Sequence, residues 1–274
     1  GPNKKKKKDK TKKQNRGMNR INKLFMDKPE GLLSIYFCAG HPTLDGTVDT
    51  ILTLAKNGVD MIEIGIPFSD PMADGVVIQD AATKSLRNGM TLKLLFSQLA
   101  DIRNDVDIPL LLMGYLNPIM HFGFESFCRE CVNVGIDGVI IPDLPFKDYL
   151  EEYKPIADRH GIRIIMLITP ETSDERIRFI DEHTDGFIYM VSSAATTGAQ
   201  KEFDKAKRAY FERINSMHLH NPRMIGFGIS NRQTYDSALR NASGGIIGSK
   251  FVSLYDSTLD AQVAIDMLHD ALKS

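Results

Sequence analysis

Short apolar runs bounded by Gly, Pro, Asn or Asp recur along this chain, and between them apolar residues return at helical spacing. The runs are Leu32 to Ala39, Val59 to Ile66, Ile108 to Met113, Gly138 to Ile141, Ile162 to Ile168, Gly186 to Val191, Met224 to Phe227 and Gly245 to Ile247. Each is apolar on both sides, as expected of strands in a parallel sheet whose two faces are covered. The stretches between them carry helix punctuation. Thr172 with Glu175 and Ser230 with Gln233 have capping-box spacing, while Asn57-Gly58 and Asn88-Gly89 read as helix stops. A short amphipathic helix near Ile21 to Met26 precedes the first strand. Eight strand and helix units in about 250 residues predict an α/β fold: a single (β/α)8 TIM barrel with an extra N-terminal helix, its chemistry in the loops after the strands. Periodicity cannot tell a closed parallel sheet from a doubly wound open one, so the open sheet stands as the alternative.

One position breaks the apolar pattern. In Met61-Ile62-Glu63-Ile64-Gly65-Ile66 the isoleucines share one side of the strand, and Glu63 points to the other with Met61 and Gly65. This predicts a buried carboxylate, whose pKa desolvation raises into a range useful for proton transfer, unless backbone donors satisfy it as a structural group. Asp74 follows across the turn Pro67-Phe68-Ser69-Asp70-Pro71-Met72-Ala73. Two further connections stand out. Ser192 to Gln200, rich in small residues, reads as a lid or a plain exposed linker. Gly226-Phe227-Gly228 and Gly244-Gly245-Ile246-Ile247-Gly248-Ser249 lie at the ends of the seventh and eighth runs, where barrels of this kind seat phosphate groups. No Walker motif, Rossmann fingerprint or paired His ligands appear, so no metal site is expected.

Composition adds boundaries. Residues 1–17 hold eight Lys and one Arg against a single Asp, although the whole chain has a net charge of −1. A run of like charges without apolar residues cannot order itself, so residues 1–17 are expected to be a disordered Lys-rich tail or an added extension, with residues 18–274 the catalytic domain. Gly1-Pro2 resembles a protease-cleavage scar and Met18 a natural start. No apolar run reaches a membrane span and no secretory segment is evident, which predicts a cytoplasmic protein without a membrane partner. Electrostatic binding of nucleic acid by the Lys-rich tail is the weakest reading, and no nucleic-acid partner is expected. The three cysteines, Cys38, Cys128 and Cys131, are expected to be buried and free.

The stretch from Val59 to Gly75, with Gln79, closely resembles the signature of the tryptophan synthase alpha chain family. Asn117-Pro118, Pro142-Asp143-Leu144-Pro145, Thr197-Gly198 and Gly226-Phe227-Gly228-Ile229-Ser230 extend the likeness from Met18 to the C-terminus. The resemblance implies a lyase that cleaves indole-3-glycerol phosphate to indole and glyceraldehyde 3-phosphate, as the alpha subunit acting late in tryptophan biosynthesis. It implies no cofactor in this chain, with pyridoxal phosphate in a partner beta chain and an alpha-beta-beta-alpha tetramer. By the same resemblance Glu63 is the acid/base residue, Asp74 the carboxylate that accepts from the indole N–H, and Tyr189 a catalytic neighbour of Glu63. Tyr36, Leu112, Tyr115 and Ile140 resemble the box around the indole ring. Gly198, Phe227, Gly228, Gly248 and Ser249 resemble the phosphate-binding end, which on this reading needs no Lys or Arg, and Thr197 resembles the lid residue that meets Asp74. Pro67, Asp70, Pro71, Asn117 and His121 match positions that face the beta chain. Two departures are plain: Gly40-His41-Pro42 replaces the Gly-Asp-Pro of many relatives, and Ser193-Ala194-Ala195 replaces a segment where some carry Arg and Gly. Another phosphosugar barrel enzyme of amino-acid biosynthesis, or a non-catalytic subunit that only activates a beta chain, are the competing readings.

Overall fold

Eight parallel strands close into one barrel, each hydrogen-bonded to the next and the eighth to the first. They are β1 (Leu32–Cys38), β2 (Met61–Gly65), β3 (Leu110–Met113), β4 (Gly138–Ile140), β5 (Arg163–Ile168), β6 (Ile188–Met190), β7 (Arg223–Ile225) and β8 (Gly244–Ile247). All eight apolar runs contain or overlap a strand, and closure removes the open-sheet alternative. The computed structural model describes residues 17–70, 74–192 and 200–274, with the side chains of 200–203 left out. Residues 1–16 of the expected tail, Pro71, and most of the Ser192 to Gln200 segment lie outside the described residues.

Alternation along each strand divides the apolar residues into two layers. Ile62, Ile64 and Ile66 join the layer between barrel and helices, whereas Met61 packs inside the barrel with Leu32, Leu111, Ile140, Ile165, Phe187, Tyr189, Met224 and Ile246. The inner cluster also takes Ile21 and Phe25 from the N-terminal helix Arg20–Asp27. That helix closes one end of the barrel. Asn19 caps it, accepting from the Ile21 amide at 2.8 Å, and its own side-chain amide donates to the carbonyls of Asp137 and Gly161 at 2.8 and 2.9 Å. Burying Ile21 and Phe25 contributes roughly 1.5–3 kcal/mol each, enough to hold an eight-residue helix that would not persist alone.

The helix punctuation is right in kind and shifted by one residue in two places. Ser173, not Thr172, caps the helix Asp174–His183 by accepting from the Arg176 amide, and Asn231 with Thr234, not Ser230 with Gln233, forms the capping box before Arg232–Asn241. The stops are as expected: Asn57 ends Thr47–Lys56, and Gly89, in the left-handed region at φ 98°, ends Val76–Asn88. The long connection after β2 holds a second helix, Leu92–Gln98, begun by the Thr91 side chain. Cys38, Cys128 and Cys131 are buried and free. Among the described residues no helix is long and apolar enough to cross a membrane.

Candidate active site

Glu63 is the third residue of β2, and the strand's alternation turns it into the barrel beside Met61 and Gly65. It is fully buried, and neither carboxylate oxygen has a hydrogen-bond partner among the described residues. Burial alone pushes its pKa up to about 8, so at neutral pH it is largely a neutral acid, close enough to ionisation to return the proton. Its neighbour in register on β1 is Tyr36, and on β3 Leu111.

Two tyrosines enclose it. The Tyr36 hydroxyl lies over Gly65, and the Tyr189 ring lies over Gly226; a Cβ on either glycine would collide with the ring or hydroxyl above it. Both glycines therefore serve close approach rather than backbone freedom. Burial first, then the negative charge of Glu63 and Asp74 among other groups, raises both tyrosines well above their usual range. They stay protonated and available as donors. The field of both carboxylates at both rings places Glu63, Asp74, Tyr36 and Tyr189 in one electrostatic neighbourhood.

Asp74 stands half-buried on the loop between β2 and the helix Val76–Asn88. The Gln79 side-chain amide donates to its backbone carbonyl at 2.6 Å, tying the loop to the first turn of that helix. Burial raises the Asp74 carboxyl, and a hydrogen bond from the Tyr115 hydroxyl opposes the rise without cancelling it. Tyr115 is itself buried, just beyond β3, with its ring 5.9 Å from that of Phe68 on the Asp74 loop. Ile140 lies in the inner cluster, as expected of the indole box.

Leu112 does not face this space. It is buried in the outer layer with Leu110, because on β3 the inward positions are Leu111 and Met113. Half-buried Met113 packs against the inner cluster and takes the place expected for Leu112. The error is one of strand phase: Leu110-Leu111-Leu112-Met113 is apolar throughout, so nothing in it marks which residues point inward.

Across the mouth, Gly228 follows β7, and Gly248 and Ser249 begin the helix Ser249–Thr258 after β8. Gly228 and Ser249 are exposed, and Phe227 is half-buried. The ammonium of Lys207, on the helix Gln200–Ser216, lies 3.8 Å from where a Cβ on Gly228 would stand; no motif drew attention to it. Thr197 and Gly198, like Pro71, lie outside the described residues. Among the residues expected to face a partner, Asp70, Asn117 and His121 are exposed. Pro67 is buried, continuing the chain directly from buried Ile66 at the strand end. His41, the departure after β1, is also buried, with Nε2 2.8 Å from Asp256 Oδ1, an oxygen that also accepts from Lys84 at 2.8 Å.

The profile of the family described as tryptophan synthase alpha chain matches residues 23–270. The tryptophan synthase alpha chain of Phocaeicola vulgatus is 69% identical over 258 residues, covering 94% of this chain and all of the relative. That of Bacteroides thetaiotaomicron is 67% identical over 256 residues, covering 93% of this chain and all of the relative. In three dimensions the crystal structure of the Legionella pneumophila alpha chain superposes with a TM-score of 0.81 at 31% identity, covering 93% of this chain and 97% of the other. A chain from the tryptophan synthase complex of Pyrococcus furiosus superposes with a TM-score of 0.75 at 34% identity, covering 89% and 96%. The chain belongs to the tryptophan synthase alpha chain family.

Proposed function

We propose that this chain cleaves indole-3-glycerol phosphate at the mouth of its barrel, with Glu63 moving the proton. It is a carbon–carbon lyase of tryptophan biosynthesis, acting as the alpha subunit of tryptophan synthase. The reaction is a retro-aldol cleavage. A proton is added to indole C3, the side-chain hydroxyl on the adjoining carbon gives one up, and the bond between them breaks to release indole and glyceraldehyde 3-phosphate. Proton gain and loss balance, so the step consumes no oxidant or reductant.

The observation that carries the assignment is a fully buried acid with no hydrogen-bond partner among the described residues, raised to about 8, in a barrel wall shared with two protonated tyrosines. An acid in that state can donate to C3 near neutral pH and recover the proton from the hydroxyl. Asp74 accepts from the indole N–H and stabilises the positive charge that develops on the protonated ring. Ile140 and Met113 of the inner cluster bound the ring's space with Tyr36, the register neighbour of Glu63, and Tyr115 holds Asp74. Gly228, Gly248 and Ser249 receive the phosphate through main-chain amides at the start of a helix. Thr197 and Gly198 are assigned to the closing segment from the family likeness alone.

A beta chain is the proposed partner, met by the exposed face carrying Asp70, Asn117 and His121; pyridoxal phosphate is assigned to that beta chain, in an alpha-beta-beta-alpha assembly in the cytoplasm. Because Asp70 and Asp74 share one loop, docking there orders the Asp74 carboxylate and raises turnover. Steady-state release of indole from indole-3-glycerol phosphate, with and without beta chain, tests the assignment. Glu63→Gln keeps the side chain's size and removes its titration, and is expected to lower kcat by roughly 10²-fold or more while KM moves little. Near-parental turnover in that variant would remove Glu63 from the mechanism.

A further inference from the structure

Lys207 stands on the helix Gln200–Ser216, yet its ammonium is turned toward the barrel mouth. Its ammonium lies by two aromatic rings. Nζ is 5.8 Å from the centre of Phe211 on its own helix and 5.7 Å from that of Phe227 after β7, and the two rings are 6.0 Å apart. The side chain is half-buried, and burial lowers its pKa, with Asp204 one turn earlier acting in the opposite direction. Among the described residues it forms no ion pair. A lysine on a helix surface ordinarily extends its charge into water, and this one gives up part of its hydration with only the charge of Asp204 set against that loss.

The ammonium points at Gly228. With a φ of 65°, Gly228 holds a backbone shape that other residues adopt only under strain, and among the described residues Lys207 Nζ is the one heavy atom within 4 Å of its missing Cβ. Among the described residues, the space over Gly228 is bordered by a cation with three donors. A lysine recognises phosphate as a point charge, and the main-chain amides proposed for this end of the substrate supply hydrogen bonds but no full charge to meet a dianion.

We propose that Lys207 binds the phosphate group of the substrate, adding a side-chain cation to the main-chain cradle at Gly228 and Ser249. This rests on the reading that the cradle receives phosphate. The rings of Phe211 and Phe227 flank the ammonium, and a phosphate over Gly228 meets it with a charge-assisted hydrogen bond. Recognition is then divided in this chain: Asp74 and the apolar wall read the indole, while Lys207 reads the charge at the far end.

Titration calorimetry on the full chain, with glyceraldehyde 3-phosphate and indole as separate ligands, tests it. Lys207→Met keeps the stem's packing and removes the charge. It is expected to weaken glyceraldehyde 3-phosphate by about tenfold or more, the size of one charge-assisted hydrogen bond, and to leave indole affinity and the unfolding midpoint unchanged. The KM for indole-3-glycerol phosphate should rise by a similar factor with kcat near the parental value. Lys207→Arg should restore most of the affinity, and Lys207→Gln, a second variant without the charge, should behave like Lys207→Met. Unchanged glyceraldehyde 3-phosphate affinity in both uncharged variants overturns the proposal, as does an equal loss for both ligands, which would mark Lys207 as a packing residue. If the parent chain binds indole but not glyceraldehyde 3-phosphate, the phosphate cradle itself fails and Lys207 fails with it.

Discussion

Glu63 and Asp137 are both buried carboxylates in the wall of this barrel, and they stand in opposite company. Asp137, just before β4, accepts from Arg20 at 3.0 Å, from Arg103 at 2.7 Å and from the Leu110 amide at 3.0 Å. Burial raises its carboxyl, but the Arg103 charge, the Leu110 amide and Arg20 all pull it back. Glu63 has burial and nothing to oppose it, and it reaches about 8. The same desolvation therefore yields a structural anchor at one end of the barrel and a titrating acid near the other. What separates them is the supply of donors, which the chain provides from three separate segments for Asp137 and withholds from Glu63.

The sharpest way to break this comparison is to remove the anchor. Asp137→Ala removes the carboxylate that faces Arg103, whose side chain is only 16% exposed and is left with carbonyl acceptors alone, and should cost about 3–5 kcal/mol in denaturant unfolding while leaving turnover per folded molecule intact. A loss under about 1 kcal/mol would mean that the arginines find other partners and that the anchor is not one.

Glu63→Gln should act on stability in the reverse sense. The folded carboxyl titrates near 8 and the unfolded one near its usual 4.5, so between those values the unfolded chain releases a proton that the native chain retains. Parental stability is accordingly full below about pH 4.5 and falls as pH rises toward 8, by a few kcal/mol at most. The amide variant lacks this fall and should gain on the parent across that window, as read from unfolding midpoints at pH 5 and pH 8. Parallel pH curves for the two proteins would mean that Glu63 is not raised.

Asp74 is the intermediate case, half-buried and held by the Tyr115 hydroxyl. Tyr115→Phe removes a bond of about 1 kcal/mol, pushes the Asp74 carboxyl further up, and should move the acid limb of the kcat profile to higher pH with a several-fold loss of turnover at neutrality. An unmoved acid limb would detach Tyr115 from the ionisation of Asp74.

How much could be foreseen differed from residue to residue. Glu63 was legible because a lone carboxylate in an isoleucine-rich strand contradicts its surroundings, and the pattern of alternation says which way it points. Leu112 misled because four consecutive apolar residues carry no phase, and only the packing of β3 against its neighbours separates Leu112 from Met113. Lys207 was invisible among the charges of a polar helix; its proximity to Gly228 joins residues more than twenty positions apart in a way no local pattern encodes.

Local pattern by itself determined the strand and helix order, the burial of Glu63 and the family likeness, since each depends on residues adjacent in the chain or on fixed periods of two and 3.6. Tertiary structure alone decided that the sheet closes, that Asp137 is paired while Glu63 is left without a partner among the described residues, and that Gly65 and Gly226 make room for Tyr36 and Tyr189. The reason is physical: donors, charges and cleared space reach a side chain through three dimensions from distant segments, and a pKa records that assembled environment rather than the identity of the residue.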